Sequence, residues 1–237
     1  MVLSAGRGER LRPLTDACPK PLLEIGGRPL LVHQLERLHA AGTEHAVINL
    51  GWLGEQIPTA LEPWLSTPPL SRLRVEYSQE PEGALETAGG IRHALDRFAP
   101  GALVVVSADA WCDVDYRHLT THRLHAAGHL LMVTNPDHHP QGDFVLDGTR
   151  VMLVDDPNAH TLTYAGLGVF STELFKDLPP GHRRLRPVLE SAIKKHAITG
   201  AHFQGQWLDL GTPERLELAR RAWQAGSTPP PGPSEAV

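Results

Sequence analysis

Residues 2–15 read VLSAGRGERLRPLT, in which a short apolar strand is followed directly by a turn with two glycines. Glycine lets the backbone bend tightly and approach a ligand closely, so such a turn can present its N–H groups to a phosphate. An ordinary strand-to-helix turn has the same composition. Three arginines and a lysine within residues 7–20, in a chain of formal net charge −5, favour the phosphate-binding interpretation.

Apolar strand-like stretches alternate with amphipathic helical stretches beyond this turn. The pattern predicts strands at 2–4, 46–50, 74–78 and 103–109, separated by helices at 29–41, from about 54 and at 87–98. This order is typical of parallel strands connected by helices, with ligands at the carboxyl ends of the strands. We therefore predict an α/β fold with a Rossmann-like, mostly parallel but mixed sheet that is flanked by helices.

The second half of the chain is less regular. A helix is predicted near 115–127, followed by strands at 129–134, 143–146, 151–154 and 161–170, a helix at 186–196, a strand near 198–203 and a closing helix at 213–225. Residues 226–237 are polar and rich in proline, a composition typical of disorder. We expect one domain at 1–225 and a disordered tail at 226–237.

The composition excludes several classes of protein. Hydrophobic residues make up 41% and charged residues 21% of 237 residues, as in a soluble globular protein. The negative net charge argues against binding to nucleic acid or to an anionic membrane, because both require a basic surface. No apolar stretch approaches the roughly 18 residues of a membrane span, and the opening lacks a signal-peptide core. We expect a cytoplasmic protein in which Cys18 and Cys112 are reduced thiols.

The opening motif resembles the signature of a known family. GRGERLRPLT at 6–15, with PKP at 19–21, is similar to the start of the sugar-1-phosphate nucleotidyltransferases. The resemblance implies the nucleotide-diphospho-sugar transferase type of fold and transfer of a nucleoside monophosphate from a nucleoside triphosphate to a sugar 1-phosphate, with Mg²⁺. By position, Arg10 matches the arginine that contacts the β- and γ-phosphates, and Lys20 matches the lysine on the α-phosphate. The other nucleotide-binding residues that it implies here are Leu3, Ala5, Gly6 and Gly8.

Two aspartates are candidate metal ligands. Asp109 ends the apolar strand LVVVSAD, where a carboxylate can either hold a hard cation or cap a helix. In the family that it resembles, an aspartate at this place binds Mg²⁺, and Asp209 in WLDLGT matches a second ligand near the end of the domain. The resemblance therefore implies a catalytic set of Arg10, Lys20 and Asp109, with Asp109 and Asp209 on the metal. No protein nucleophile is required, because phosphoryl transfer depends on alignment and charge neutralisation.

Residues 77–90, YSQEPEGALETAGG, resemble the loop that binds the nucleotide base, which is commonly written LGTAG. Glu86 stands where that pattern has glycine, and the LET string is similar to N-acetylmuramate-1-phosphate uridylyltransferases of cell-wall recycling. This similarity implies UTP and N-acetylmuramic acid 1-phosphate as substrates. The nucleotide residues that it implies are Ser78, Leu85 and Thr87, and the substrate residues are Glu86, Asp143, Tyr164 and Gly166.

Two alternatives stay open at this stage. The same reaction on glucose or mannose 1-phosphate, with dTTP, UTP or GTP, needs only different loop contacts. A sensor of sugar nucleotides on the same fold needs no metal ligands, and the presence of Asp109 and Asp209 disfavours it. The sequence says nothing about the oligomeric state.

Some features depart from the family or suggest other sites. The usual GluLysPro is absent, since 154–160 reads VDDPNAH, so Arg183, Arg184 and Arg186 are candidates for the sugar phosphate or form a solvated turn. The histidines 118, 122, 125 and 129 have helical spacing but no carboxylate or cysteine among them. We interpret these four as a polar helix face. His138 and His139 are likewise interpreted as polar residues, although their place beside the expected sugar site leaves a contact with substrate open.

Overall fold

The computed structural model describes residues 1–81 and 85–226 and arranges them around a nine-stranded sheet. The strands are β1 (Val2–Leu3), β2 (Glu24–Ile25), β3 (Arg28–Pro29), β4 (His45–Leu50), β5 (Arg74–Gln79), β6 (Ala102–Ser107), β7 (Ala110–Cys112), β8 (Gly128–Val133), β9 (Phe144–Asp147), β10 (Arg150–Met152), β11 (Thr161–Ser171), β12 (Ile198–Phe203) and β13 (Trp207–Asp209). The α-helices are α1 (Leu14–Ala17), α2 (Leu30–Ala40), α3 (Gln56–Leu65), α4 (Glu86–Ala94), α5 (Arg117–Thr120), α6 (Glu173–Lys176), α7 (Leu185–Lys194) and α8 (Pro213–Gln224). Residues 82–84 of the predicted base loop and 227–237 of the predicted tail lie outside the described residues.

The sheet order is β5–β4–β1–β6–β11–β8–β12–β10–β9. Strands β5, β4, β1 and β6 are mutually parallel, which confirms the arrangement predicted from the alternation of strands and helices. Strand β11 runs antiparallel to both β6 and β8, so the sheet is mixed in its second half. The carboxyl ends of β1 and β6 lie side by side, which brings the glycine-rich loop next to Asp109.

Both faces of the sheet are covered by apolar side chains. Val105 and Val106 are adjacent in β6 and fully buried, yet they belong to different hydrophobic clusters, because successive side chains of a strand point to opposite faces. On one face Val106 packs with Leu35 of α2, and on the other Val105 packs with Ile91 of α4. This double burial explains why β6 reads as a continuous apolar stretch.

A third hydrophobic cluster ties the end of the chain to its beginning. Leu210 and Leu216, on either side of the start of α8, pack with Leu11 and Ile25. Thr212 caps α8 by accepting a hydrogen bond from the backbone N–H of Arg215, as Thr-Pro at a helix start predicts. The cluster therefore holds β13, which precedes α8, against the glycine-rich segment.

Two parts of the predicted secondary structure differ from the fold. The helix expected near 115–127 is confined to Arg117–Thr120. The Thr121 hydroxyl donates to the Arg117 carbonyl at 2.6 Å, while Thr120 donates to the carbonyl of Ala41, and such side-chain bonds compete with helix continuation. The short antiparallel pair β7–β13 has no counterpart in the prediction.

The described helices include none with the length and apolar composition that crossing a membrane requires. Cys18 and Cys112 are both free thiols, as expected from their separation in the sequence.

Candidate active site

A crevice at the carboxyl ends of β1 and β6 contains two adjoining cavities. The larger cavity measures about 610 Å³ and the adjacent cavity about 360 Å³. The predicted residues that line the larger cavity are Leu3, Ala5, Gly6, Gly8, Arg10, Lys20, Glu86, Thr87 and Asp109. Those that line the adjacent cavity are Arg10, Asp109, Tyr164, Gly166 and Asp209. Arg10 and Asp109 belong to both sets, so the two cavities share a wall that carries opposite charges.

The glycine-rich loop forms one side of the larger cavity. Gly8 has φ +65°, and a Cβ there would lie 3.1 Å from the Thr15 methyl group and 3.3 Å from the Cβ of Lys20. The Thr15 hydroxyl closes the turn by donating to the Gly8 carbonyl at 2.9 Å. Glycine at this position thus allows the loop to pack directly against Lys20.

Lys20 forms an ion pair with Asp109 at the wall between the cavities. The Lys20 side chain is 16% exposed and that of Asp109 28%. Burial alone raises the pKa of the Asp109 carboxyl, but the charge and hydrogen bond of Lys20 outweigh burial, so the pKa lies below its ordinary value. Asp109 is therefore ionised at neutral pH, as a metal ligand must be.

Asp209 reaches the same wall through the β7–β13 pair. Its Cα lies opposite that of Ala110, and the N–H of Leu210 donates to the Asp109 carbonyl at 3.0 Å. An Arg215 Nη donates to Asp209 Oδ1 at 3.0 Å, and His138 Nε2 lies 2.8 Å from Oδ2. Two carboxylates from distant segments thus face one cavity, a donor set that suits a hard divalent cation.

Three predicted residues line neither cavity. Ser78 is fully buried in β5, and Leu85 is buried at the start of α4. Asp143 instead accepts a hydrogen bond from the backbone N–H of Tyr164 at 2.9 Å, and Arg186 pairs with it at 3.2 Å. Asp143 therefore supports the strand that carries Tyr164 and does not itself face the cavity.

Three residues that were predicted to bind substrate line the crevice: Tyr164 and Gly166 in the adjacent cavity and Glu86 in the larger one. Burial raises the pKa of the Tyr164 hydroxyl, which stays protonated. Glu86 has φ +59°, a region that favours glycine, which is the residue that the LGTAG form carries there. His182 and Arg184 lie 3.5 and 3.9 Å from its carboxylate.

The structure places the basic residues for which the sequence left two interpretations. Arg183, Arg184 and Arg186 line neither cavity, so they are not placed to hold the sugar phosphate. His138 and His139 line the adjacent cavity together with Tyr164 and Gly166, so a contact of these histidines with substrate stays a prediction.

The four histidines that were predicted to share a helix face do not do so, because α5 contains only His118. The rings of His122 and His129 instead stack at 4.0 Å, where His129 belongs to β8.

Sequence reasoning missed Arg215, Asn49 and Glu80. Arg215 follows Asp209 by six positions and has no motif of its own, although it fixes that carboxylate. Asn49 and Glu80 line the larger cavity and are only 4% exposed. A buried polar residue next to the end of a parallel strand is the one signal that points to them.

Comparison with known proteins agrees with this geometry. A family profile described as "Nucleotidyl transferase" matches residues 1–225. The chain is 40% identical over 232 residues to the N-acetylmuramate alpha-1-phosphate uridylyltransferase of Neisseria meningitidis serogroup B, covering 94% of this chain and 99% of the relative. It is 31% identical over 234 residues to the protein of the same name from Caulobacter vibrioides, covering 94% and 95%.

Among solved structures, HddC from Yersinia pseudotuberculosis superimposes with a TM-score of 0.76 at 21% identity, covering 94% of this chain and 97% of that chain. This similarity confirms the fold, while the sequence matches extend over nearly the whole length of the relatives. The chain therefore belongs to the nucleotidyl transferase family, among the enzymes that transfer a nucleotidyl group to a sugar phosphate.

Proposed function

We propose that this protein transfers UMP from UTP to N-acetylmuramic acid 1-phosphate, giving UDP-N-acetylmuramic acid and pyrophosphate. One observation carries the proposal: Arg10 and Asp109 stand on the wall shared by two cavities, and Lys20 and Asp209 flank it on either side. A reaction between two bound phosphates needs this arrangement of one charged wall between two sites. The names of the two relatives support the choice of uridylyl group and sugar.

The larger cavity takes the nucleotide in this proposal. Its glycine-rich loop, Lys20 and Arg10 supply positive charge and close backbone approach for the triphosphate. Thr87 and Glu86, at the start of α4, lie at the other side, where the base and ribose would bind. The adjacent cavity, with Tyr164 and Gly166 in its lining, takes the sugar phosphate.

The chemistry is an in-line displacement at the α-phosphorus of UTP. A phosphate oxygen of the sugar substrate forms a bond to that phosphorus, while the bond from the phosphorus to the bridging oxygen breaks and pyrophosphate leaves with the electron pair. Lys20 is placed to offset the charge that builds on the α-phosphate, and Arg10 to hold the leaving phosphates. No proton transfer from a protein base is required, because the attacking oxygen is already ionised.

Asp109 and Asp209 are the residues that would hold Mg²⁺. Both are carboxylates that line the adjacent cavity, and the lowered pKa of Asp109 keeps it in the form that binds a cation. When bound, the ion supplies charge neutralisation for the phosphate oxygens. Arg215 and His138 fix the two oxygens of Asp209 and so orient this ligand.

The basic side chains of the adjacent cavity support an acidic sugar. N-acetylmuramic acid carries a carboxylate on its lactyl group in addition to the phosphate, whereas glucose and mannose 1-phosphates carry the phosphate alone. Besides Arg10, the described lining of this cavity includes His138 and His139. Nε2 of His138 faces Asp209 and Nε2 of His139 lies 3.3 Å from Asp143 Oδ1, so a lactyl carboxylate would bind the second ring nitrogen, which donates when the imidazole carries both protons. Arg10 remains available for phosphate.

The proposed reaction also indicates the pathway type and the compartment in which the protein acts. UDP-N-acetylmuramic acid is a precursor of the bacterial cell wall, so forming it from the free sugar phosphate is a recycling reaction. The reaction consumes a nucleoside triphosphate, which cells keep in the cytoplasm, and the free thiols of Cys18 and Cys112 agree with that compartment.

The experiment that tests this function measures pyrophosphate release in Mg²⁺ for five nucleoside triphosphates against the 1-phosphates of N-acetylmuramic acid, N-acetylglucosamine, glucose and mannose. We expect the highest kcat/KM for UTP with N-acetylmuramic acid 1-phosphate. A maximum at glucose or mannose 1-phosphate, with dTTP, UTP or GTP, would keep the mechanism and replace the substrates. Binding without release for every pair would instead indicate a sugar-nucleotide sensor.

A further inference from the structure

Two buried polar side chains connect opposite sides of the larger cavity. Asn49 lies in β4, and Glu80 directly follows β5, so both stand near the carboxyl ends of neighbouring parallel strands. Each is 4% exposed, and each lines the larger cavity. Neither has a part in the transfer chemistry described above. A carboxyl group buried to this extent destabilises the fold unless its oxygens are hydrogen-bonded.

The hydrogen bonds of this pair form a continuous chain. The backbone N–H of Ser4, at the start of the glycine-rich loop, donates to Asn49 Oδ1 at 2.7 Å. Asn49 Nδ2 donates to Glu80 Oε1 at 2.7 Å. The backbone N–H of Leu85, directly before α4, donates to Glu80 Oε2 at 3.0 Å. The loop proposed for the triphosphate is thus linked to the segment proposed for the base and ribose through two side chains.

The backbone around Glu80 and Asn49 leaves space for their hydrogen bonds but not for a side chain at position 90. A Cβ at Gly90, in α4, would lie 2.4 Å from Glu80 Oε1 and 3.1 Å from Asn49 Nδ2. The backbone N–H of Glu80 donates to the Leu50 carbonyl at 2.8 Å, which fixes the residue at the end of its strand. Glycine in this helix therefore lets the carboxylate sit between α4 and β4.

We propose that Glu80 and Asn49 are positioning residues that set the separation between the glycine-rich loop and the start of α4, and so the fit of the nucleotide. The inference rests on the proposed function only in taking the larger cavity as the nucleotide site. The two residues do not touch the reacting atoms. Their effect is on nucleotide binding and alignment, and the adjacent cavity is outside their reach.

The direction of each hydrogen bond makes the proposal testable with isosteric variants. In Glu80→Gln, one end of the side chain becomes a donor, so it cannot accept from both Asn49 and Leu85. In Asn49→Asp, two carboxyl groups face each other where one hydrogen bond stood. In the double variant, the carboxylate introduced at position 49 accepts from the Ser4 N–H and from the amide N–H introduced at position 80. The carbonyl oxygen of that same amide accepts from the Leu85 N–H, so all three links are restored and the charge of the pair is unchanged.

The experiment measures the Kd for UTP by calorimetry, with kcat and both KM values, for the wild type, the two single variants and the double variant. We expect each single variant to weaken UTP binding about tenfold, the loss of one hydrogen bond to a charged group, and the double variant to return to within about threefold of the wild type. The KM for the sugar phosphate should change by less than about twofold throughout.

A matched control separates this effect from general loss of stability. Thr172 is buried and accepts a hydrogen bond from the Gly101 N–H at 2.9 Å, at the end of the sheet away from both cavities. Thr172→Val should lower the melting temperature as the single variants do, and leave the Kd for UTP unchanged.

Three results would overturn the inference. In the first, the loss of UTP affinity in the double variant is at least the product of the losses in the two single variants, so the two residues act independently. In the second, the single variants change only the melting temperature. In the third, the wild type binds no nucleoside triphosphate. A wild type that binds UTP but releases no pyrophosphate would refute the proposed function and leave this inference to be decided by the Kd values.

Discussion

The two cavities of the crevice are built in different ways. The larger cavity is lined mainly by the glycine-rich loop after β1, with shorter contributions from residues 107–109 at the end of β6 and from the start of α4. The adjacent cavity draws its lining from β11, β13 and the His138–His139 turn, which are far apart in the sequence. They meet at Asp109, which follows β6. A contiguous phosphate-binding loop leaves one long motif in the sequence, whereas a wall assembled from several strands leaves only short separate ones, such as WLDLGT around Asp209.

The comparison also separates two ways of holding a carboxylate. Asp109 is paired with Lys20, eighty-nine positions away in the sequence, and Asp209 is held by Arg215 and His138. The first pair joins two residues that the family motif already singles out. The second depends on a histidine seventy-one positions from its partner, which only the fold brings near.

The largest effect is expected from removing the charge at the shared wall. Asp109→Asn should lower kcat in Mg²⁺ by about 30- to 1000-fold, because a lost ligand charge costs roughly 2–4 kcal/mol of transition-state stabilisation. Steady-state pyrophosphate release measures it. Asp147→Asn, an exposed aspartate at the end of β9, is the control and should be unaffected. A kcat within a few-fold of the wild type for Asp109→Asn would remove Asp109 from the metal site.

A smaller effect is expected at the triphosphate side. Lys20→Ala should reduce kcat by about 100-fold and raise the KM for UTP by less than about fivefold, because the ammonium acts mainly on charge that develops in the transition state. Lys176→Ala, an exposed lysine of α6, is the matched control. Equal changes in kcat and KM would make Lys20 a binding residue only.

A change in the adjacent cavity is expected to alter the specificity for the sugar phosphate. His139→Asn should lower kcat/KM for N-acetylmuramic acid 1-phosphate about tenfold and leave that for N-acetylglucosamine 1-phosphate unchanged, because only the first has a lactyl carboxylate for the imidazole to bind. The control is His160→Asn, an exposed histidine outside both cavities. If both sugars lose equally, the carboxylate is recognised elsewhere.

The smallest effect concerns the strained residue at the start of α4. Because Glu86 has φ +59°, Glu86→Gly should be more stable than Glu86→Ala by about 1 kcal/mol, the reverse of the order at ordinary helix positions. Denaturant unfolding of both variants measures it, with the same two substitutions at exposed Glu217 of α8 as the reference pair. If the alanine variant is the more stable one at both positions, residue 86 does not keep its positive φ in solution.

The sequence was sufficient for the parallel half of the sheet, because apolar strands and amphipathic helices alternate there without interruption. It also predicted nine residues that line the larger cavity, but it missed Asn49 and Glu80 and included Ser78 and Leu85, which are buried and do not line it. Ser78 lies in a strand that the sequence predicted, but successive side chains of a strand point to opposite faces and that of Ser78 is buried. Leu85 directly precedes α4 and is buried as well.

Other features could not be predicted, because they depend on pairing between distant segments. The β7–β13 pair sets Asp209 beside Asp109, and each strand is only three residues long, too short to show a pattern. The helix expected near 115–127 failed for a different reason: two threonine hydroxyls bond to backbone carbonyls and end it after one turn.

The measurement that tests the central claim most directly follows the α-phosphorus of UTP. With UTP labelled at that atom, N-acetylmuramic acid 1-phosphate and Mg²⁺, all of the label should move into UDP-N-acetylmuramic acid, and the pyrophosphate should carry none. Label in free UMP would show that water is the acceptor, and label left in UTP while the protein is saturated with both substrates would show that it binds without transferring. Either result would contradict a transfer between two cavities across one shared wall.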